Sequence, residues 1–206
     1  MKILIIAGLP DFVPMEKFDK YVGVDAGARW QLPVDLAVGD FDSVSSEGIS
    51  GELLKLPEEK NETDLEVALA ETFKRWPEAE VLIIGALGGR LDHELTNIYL
   101  PTTKKFRQFA TQIQLENLQN TIRYYSAGRH IVPQIPGQKY IGFVKIGVEN
   151  FSIENAKYPL KAEDNFAEIY ASNEFISETM IIAFSKGLVI AIYSNDKGNI
   201  NENYQN

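Results

Sequence analysis

Aspartates follow short apolar segments at several places in the sequence, and their spacing suits the binding of a metal ion or a phosphate group. In the stretch GDFDS (39–43), Asp40 and Asp42 are one residue apart, directly after the apolar run 36–38. If this run is a strand that continues through residue 43, the two side chains point to the same face. Two such close carboxylates repel each other unless a cation or a proton lies between them, and Mg²⁺ prefers oxygen ligands of this kind. The alternative is a turn at Gly39 and Asp40, with Asp42 or Ser43 capping the next segment.

A second group of polar residues begins the segment TDLEVALAETFKRW (63–76), whose apolar residues recur at helical spacing. Thr63 and Glu66 form the T-x-x-E capping-box pattern, and Asp64 suits the first turn of a helix. Helix capping alone would explain these three residues. The free N–H groups of a helix N-terminus also bind phosphate, and Asp64 is placed to hold a metal beside it.

The stretch GGRLDHELTN (88–97) joins a predicted buried strand to a predicted helix. Gly88 and Gly89 permit a ligand to approach the backbone closely, and Arg90 suits a bidentate contact with phosphate oxygens. Asp92 and His93 follow at the start of the helix. The alternatives are that Asp92 only caps this helix and that His93 is structural or merely exposed.

The order of the predicted elements brings these residues toward one place. Strands and helices alternate in the first half of the chain, which predicts a mostly parallel sheet covered by helices. We expect strands at 2–8, 20–25, 35–43, 52–56 and 80–89, and helices at 63–76 and 92–100, with Pro101 ending or kinking the second. Asp25, Asp40 and Asp42 then lie at strand ends, and Asp64 and Asp92 at helix starts. In an open α/β sheet these positions share one crevice at the carboxyl edge.

From about residue 112 the sequence changes to short β-rich segments separated by Gly, Asn, Pro and Ser, including KYIGFVKIG, TMIIAFSKG and LVIAIYS. An antiparallel sandwich or barrel of about 80 residues is expected here. The polar segment after residue 194 is expected to be frayed.

Composition excludes several classes of protein. The 206-residue chain is 45% apolar, has a formal net charge of −9 and contains no cysteine. It therefore has no disulfide framework, thiolate metal site or cysteine nucleophile, and its acidic balance argues against nucleic-acid binding. No run approaches the length of a membrane helix, and the first strand is too short for a secretory signal. We expect a cytoplasmic protein without a membrane partner.

Five stretches of the chain, taken together and in order, resemble the thiamin pyrophosphokinase (thiamin diphosphokinase) family. They are DAGA (25–28), GDFDS (39–43), KNETDLEVAL (60–69), GGRLDHELTN (88–97) and ASNEF (171–175). The resemblance implies a homodimeric enzyme that transfers a pyrophosphoryl group from ATP to the hydroxyl of thiamin, releases AMP and uses Mg²⁺. It also implies an α/β catalytic, ATP-binding domain with a mostly parallel sheet over residues 1–115. An all-β sandwich domain for thiamin binding and dimerisation is then expected over residues 116–206.

The resemblance also assigns roles to individual side chains, by their positions in these motifs. The expected metal ligands are Asp40, Asp42 and Asp64. The expected catalytic residues are Asp25, Asp64 and Asp92. Nucleotide and phosphate binding falls to Thr63, Arg90 and His93, and thiamin binding, across the dimer interface, to Ser172 and Asn173.

Two other functions are weighed against this one. A haloacid-dehalogenase-like phosphatase also uses a D-x-D at a strand end, and Asp40 would then be a nucleophile that becomes phosphorylated. The β-rich second half does not belong to that architecture. A thiamin- or nucleotide-binding regulator on the same scaffold is the second alternative, and it would be favoured by loss of one of the acidic positions, all of which are present.

Overall fold

The computed structural model describes residues 1–8, 10–30, 32–41 and 49–196. The predicted metal ligand Asp42 and the predicted frayed end after residue 196 lie outside the described residues. The chain divides into two compact units, with the boundary between Asn117 and Leu118. The first unit is α/β and the second is all β in its described part, apart from one short 3₁₀ turn, which agrees with the change in sequence pattern near residue 112.

The elements of the first unit follow the predicted alternation. The strands are β1 (Lys2–Ala7), β2 (Lys20–Val24), β3 (Leu36–Gly39), β4 (Glu52–Lys55), β5 (Glu80–Ile84) and β6 (Ile113–Glu116). The helices are α1 (Asp64–Arg75) and α2 (Leu91–Tyr99), with 3₁₀ segments at Asp25–Arg29, Leu100–Thr102 and Arg107–Gln112. Pro101 lies in the 3₁₀ segment that follows α2, so the helix ends where the proline was expected to end it.

The strands of the first unit form a sheet in the order β6-β5-β1-β2-β3-β4, and each neighbouring pair in it is parallel. Ile3, Leu4, Ile5 and Ile6 of β1 are fully buried, as expected for a central strand that is covered on both faces. Because the strands are parallel, the residues that follow β2, β3 and β5 all emerge at the same edge of the sheet.

Helix α1 forms because its start is capped and one of its faces is apolar. Leu65, Ala68, Leu69 and Phe73 are buried on that face, and Phe73 stacks on Phe109 with ring centroids 4.2 Å apart. Burial of this face anchors the helix, so its first residue, Asp64, has a fixed position beside the sheet edge.

The second unit contains β7 (Asn120–Pro133), β8 (Tyr140–Glu149), β9 (Ser152–Glu154), β10 (Ile169–Glu174) and β11 (Thr179–Ser194). Strand β11 pairs antiparallel with β7, β8 and β9, and β8 pairs antiparallel with β10. The core includes Phe143, Phe151, Ile182 and Tyr193. The segments TMIIAFSKG and LVIAIYS, expected as separate strands, form the single strand β11, whose register shifts between Phe184 and Leu188.

Within the described residues, no helix is both long enough and apolar enough to cross a membrane.

Candidate active site

Asp25 begins the 3₁₀ segment that follows β2, where its backbone is left-handed with φ 48°. Its carboxylate lies over the last residue of the neighbouring strand β3. A Cβ atom on Gly39 would be 2.0 Å from Oδ1 of Asp25, so only glycine leaves room for this carboxylate. The sheet edge is therefore built to hold Asp25 against the end of β3.

Asp40 follows β3 directly, but the strand ends earlier than expected. The strand ends at Gly39, and Phe41 has a left-handed backbone with φ 54°. The expectation that Asp40 and Asp42 share one face of a strand needs extended backbone at Phe41, which is not observed, and Asp42 itself lies outside the described residues. The side chain of Asp40 is 17% exposed and lies beside the start of α1.

The start of α1 has the predicted cap. Oγ1 of Thr63 accepts a hydrogen bond from the backbone N–H of Glu66 at 3.2 Å. The carboxylate of Glu66 is 3.1 Å from Nζ of Lys105, which also lies 2.6 Å from Glu62. Thr63 thus stabilises the helix start, and Asp64 occupies the first helical position.

Lys60 lies between two of these carboxylates. Its Nζ is 3.0 Å from Oδ1 of Asp64 and 3.9 Å from Oδ2 of Asp40, and its side chain is only 13% exposed. Although burial opposes it, the hydrogen bond and charge of Asp64, together with the charge of Asp40, raise the pKa of Lys60. Asp25, Asp40, Asp64 and Lys60 are called the carboxylate cluster below.

Mutual repulsion within the carboxylate cluster has a clear electrostatic effect. Burial, followed by the negative charges of Asp64 and Asp40, raises the pKa of Asp25 to about 7. A carboxyl with this pKa holds a proton for about half of the time at neutral pH. The cluster therefore contains more negative charge than Lys60 alone neutralises, which favours the binding of a further cation.

Some oxygen atoms of the cluster are of the kind that a divalent cation binds. Oδ1 of Asp25 is buried and accepts no hydrogen bond from the described residues, and Oδ1 of Asp64 is buried with Nζ of Lys60 3.0 Å away as its partner. Buried carboxylate oxygens without donors are the ligands that Mg²⁺ prefers. In the described part of the chain, no three acidic or histidine side chains are arranged as a complete metal site. Asp42 lies outside that part.

The residues at the start of α2 lie at the same edge of the sheet, after β5. Arg90 pairs with Asp92, with Nη2 to Oδ2 2.6 Å and Nε to Oδ1 3.2 Å, and both side chains are exposed. Hydrogen bonding to Arg90 is the largest cause of the lowered pKa of Asp92. The N-cap of α2 is Arg90 rather than Asp92, so the capping alternative for Asp92 is wrong. His93 is exposed at the helix start.

The ASNEF stretch lies in β10 of the second unit, beside a pocket of about 350 Å³. Asn173 is buried, accepts a hydrogen bond from the N–H of Tyr158 at 3.0 Å and donates one to its carbonyl at 2.8 Å. Ser172 is exposed and has a left-handed backbone, φ 59°, where the pairing of β10 with β8 shifts register. Asn173 thus fixes the segment of Tyr158, whose ring lines the pocket and is 57% exposed.

Two residues of these sites were not expected from the sequence. Lys60 is the first residue of the KNETDLEVAL stretch (60–69), but no role was predicted for it because it precedes the helix. Its i,i+4 spacing from Asp64 is the feature of the sequence that could have indicated the ion pair. Tyr158 is distant in sequence from ASNEF, and the hydrogen bonds of Asn173 help to bring the two together.

The matches to known proteins cover nearly the whole chain. Residues 15–115 match the family described as thiamin pyrophosphokinase, catalytic domain, and residues 129–189 match the thiamin pyrophosphokinase vitamin B1 binding domain. A thiamine pyrophosphokinase of Bacillus subtilis is 30% identical over 215 residues, covering 94% of this chain and 99% of the relative.

Solved structures agree with these matches. A thiamin pyrophosphokinase family protein from Enterococcus faecalis is 39% identical and superposes with a TM-score of 0.88, covering 96% of this chain and all of the other. The structure of thiamine pyrophosphokinase from Bacillus subtilis is 27% identical with a TM-score of 0.80, covering 95% of this chain and all of the other. The chain belongs to the thiamin pyrophosphokinase family.

Proposed function

We propose that the chain transfers the pyrophosphoryl group of ATP to the hydroxyl of thiamin, giving thiamin diphosphate and AMP, at the carboxylate cluster. The single observation that carries this assignment is the convergence of Asp25, Asp40 and Asp64 at one sheet edge, where Oδ1 of Asp25 is buried without a hydrogen-bond donor and Oδ1 of Asp64 is buried against the ammonium of Lys60. In the reaction, the thiamin oxygen bonds to the β-phosphorus of ATP. The bond from that phosphorus to the oxygen that bridges the α- and β-phosphorus atoms breaks, and AMP leaves with this oxygen. The hydroxyl proton is released.

The proposed metal ligands are Asp40, Asp42 and Asp64, with Mg²⁺ as the ion. When bound, Mg²⁺ neutralises charge on the phosphates of ATP. Asp40 and Asp64 flank Lys60 within the carboxylate cluster, which supports their joint assignment. Asp25, held over Gly39, and Asp64 remain the proposed catalytic carboxylates of the cluster.

Phosphate binding is proposed for the starts of both helices. At α1, the N–H groups that begin the helix, beside the Thr63 cap, would bind a phosphate group at this edge. At α2, Arg90 is exposed for a phosphate contact, and Asp92 orients its guanidinium through two hydrogen bonds. His93 lies next to them and is proposed as a further nucleotide contact. Asp92 is thereby assigned a catalytic role through Arg90.

Thiamin binding is proposed for the pocket beside β10. Thiamin has a positively charged thiazolium ring and an aromatic pyrimidine ring, and Tyr158, Phe166 and Tyr170 offer aromatic faces to such a ligand. A volume of about 350 Å³ is within the range of small-molecule sites. Ser172 is exposed between Ala171 and Asn173, which line the pocket, and Asn173 also fixes Tyr158.

We assign the two parts of the proposed reaction site to separate domains of the chain. Residues 1–115 form the catalytic, ATP-binding domain with its mostly parallel sheet, and residues 116–206 form a β-sandwich domain that binds thiamin and makes a homodimer. Large apolar side chains exposed on the second unit support a second copy as the partner, namely Ile131, Phe166, Ile169 and Ile176. The cytoplasm is the proposed location, because ATP is the co-substrate.

The test is a product assay with ATP, Mg²⁺ and thiamin, in which AMP and thiamin diphosphate are quantified by chromatography. Equal amounts of the two products are expected, and neither should form without thiamin. Inorganic phosphate release without thiamin, together with a trapped aspartyl-phosphate on Asp40, would instead establish the phosphatase alternative. Binding of thiamin or ATP without any turnover would establish the regulator.

A further inference from the structure

Lys60 has an unusual position for a basic residue, just ahead of the N-terminus of α1. The N-terminus of a helix carries a partial positive charge, which disfavours a nearby cation. Lys60 nevertheless places its ammonium 3.0 Å from Asp64, the first residue of that helix, in a largely buried position. Helix stability therefore does not explain the position of Lys60, whereas the surrounding carboxylates do.

We propose that Lys60 is an internal counter-ion that holds the carboxylates together in the free protein and must withdraw from Asp64 before that carboxylate can accept a divalent cation. This inference rests on the proposed assignment of Asp40 and Asp64 as metal ligands. Without Lys60, Asp25, Asp40 and Asp64 would repel one another in a partly buried site. With Lys60 in place, Oδ1 of Asp64, which a bound cation would need, is covered by an ammonium group.

The side chain of Lys60 can make this movement without losing all of its partners. Its Nζ also donates a hydrogen bond to the carbonyl of Pro57 at 3.2 Å, and its four-carbon stem is flexible. The ammonium can therefore retain that carbonyl while it separates from Asp64. The same movement makes its charge available to an incoming phosphate, so that metal binding and nucleotide binding favour each other.

Direct metal titration without nucleotide tests the proposal. Mg²⁺ binding is measured by calorimetry and Mn²⁺ binding by electron paramagnetic resonance for the wild type and for Lys60→Gln, Lys105→Gln and Asp64→Asn. Lys105→Gln is the matched control, because it removes one positive charge that pairs with Glu66 of the same helix. Even at the dielectric constant of water, removal of one positive charge about 5 Å from a divalent ion should tighten its binding about tenfold or more. The control should change it by less than about twofold.

The thermal midpoint supplies a second measurement. Without metal, Lys60→Gln should melt below the wild type, because the carboxylates lose their counter-ion, and Mg²⁺ should raise its midpoint by more than that of the wild type. If Lys60→Gln binds metal no more tightly than the wild type and Asp64→Asn abolishes binding, the counter-ion proposal is wrong. The assignment of Asp64 as a metal ligand then still holds. Metal binding that survives unchanged in Asp64→Asn refutes the assigned metal site as well.

Discussion

Replacing Asp25 by asparagine should stabilise the metal-free protein while removing its activity. The pKa of Asp25 is raised from 3.8 to about 7, by burial first and then by Asp64 and Asp40. At about 1.36 kcal/mol per pKa unit, this corresponds to about 4 kcal/mol when the group is fully ionised. Asp25 is only half-buried, and solvent screening reduces the figure, so we expect a gain of about 1–2 kcal/mol for Asp25→Asn at about pH 8.

The sign of the pH dependence follows from the direction of the shift. A carboxyl whose pKa is raised on folding costs stability progressively as the pH rises from its unfolded value, 3.8, through its folded value of about 7. Asparagine does not titrate, so Asp25→Asn should lack this loss. The stability difference between the two proteins should therefore be small near pH 4, grow across this range and level off above about pH 7.

Urea denaturation with a metal chelator, at pH values between about 5 and 8, measures this difference. Asp35→Asn, at the residue just before β3, is the control. Burial alone would raise the pKa of Asp35, but hydrogen bonds from Lys20 and from the N–H of Tyr21 lower it. The Asp35→Asn variant should therefore be destabilised by a constant amount over the same pH range. If Asp25→Asn does not increase the free energy of unfolding, or increases it equally at pH 5 and pH 8, the proposed repulsion within the carboxylate cluster is refuted.

Variants at three further positions probe the same sheet edge. Thr63→Ala should lose about 0.5–2 kcal/mol in urea denaturation and Thr63→Ser almost nothing, because the cap needs only a hydroxyl; equal losses would contradict capping. Asp64→Asn should reduce AMP formation about a hundredfold or more with little change in thermal midpoint, whereas near-normal turnover would limit Asp64 to a helix-start role. Gly39→Ala should lower both stability, by about 1–3 kcal/mol, and activity, since the new Cβ overlaps Asp25. The double variant Gly39→Ala/Asp25→Ala should regain stability but not activity. If the stability losses of the two single variants simply add in the double variant, the new Cβ clashes with another group.

Local signals were sufficient for the parts of the fold that sequence reasoning predicted. The runs in β1 and β5 are continuous and apolar because both faces of these strands are covered, and α1 has an apolar stripe and a cap. Parallel pairing then brings the ends of β2, β3 and β5 to one edge. The neighbourhood of Asp25, Asp40 and Asp64 could therefore be inferred from the order of elements alone.

The parts that were missed depend on backbone geometry without a local signal. Phe41 adopts a left-handed backbone, which a bulky residue seldom does, so β3 ends before the pattern suggests. In β11, the stretch 185–187 reads as a turn, but a register shift accommodates it within one strand. The hydrogen bonds of Asn173 to Tyr158 join residues 15 positions apart, which periodicity cannot reveal.

The residues of the carboxylate cluster can be recognised in the sequence, but the raised pKa of Asp25 could not be predicted from it. Taken separately, Asp25, Asp40 and Asp64 each have an ordinary local explanation, as residues of a turn, a strand end and a helix start. Burial is the largest cause of the raised pKa of Asp25, and the negative charges of Asp64 and Asp40 add to it. Lys60 offsets part of that charge from a position where a helix alone would disfavour it. Holding like charges together destabilises the folded protein, so a bound cation would relieve this repulsion.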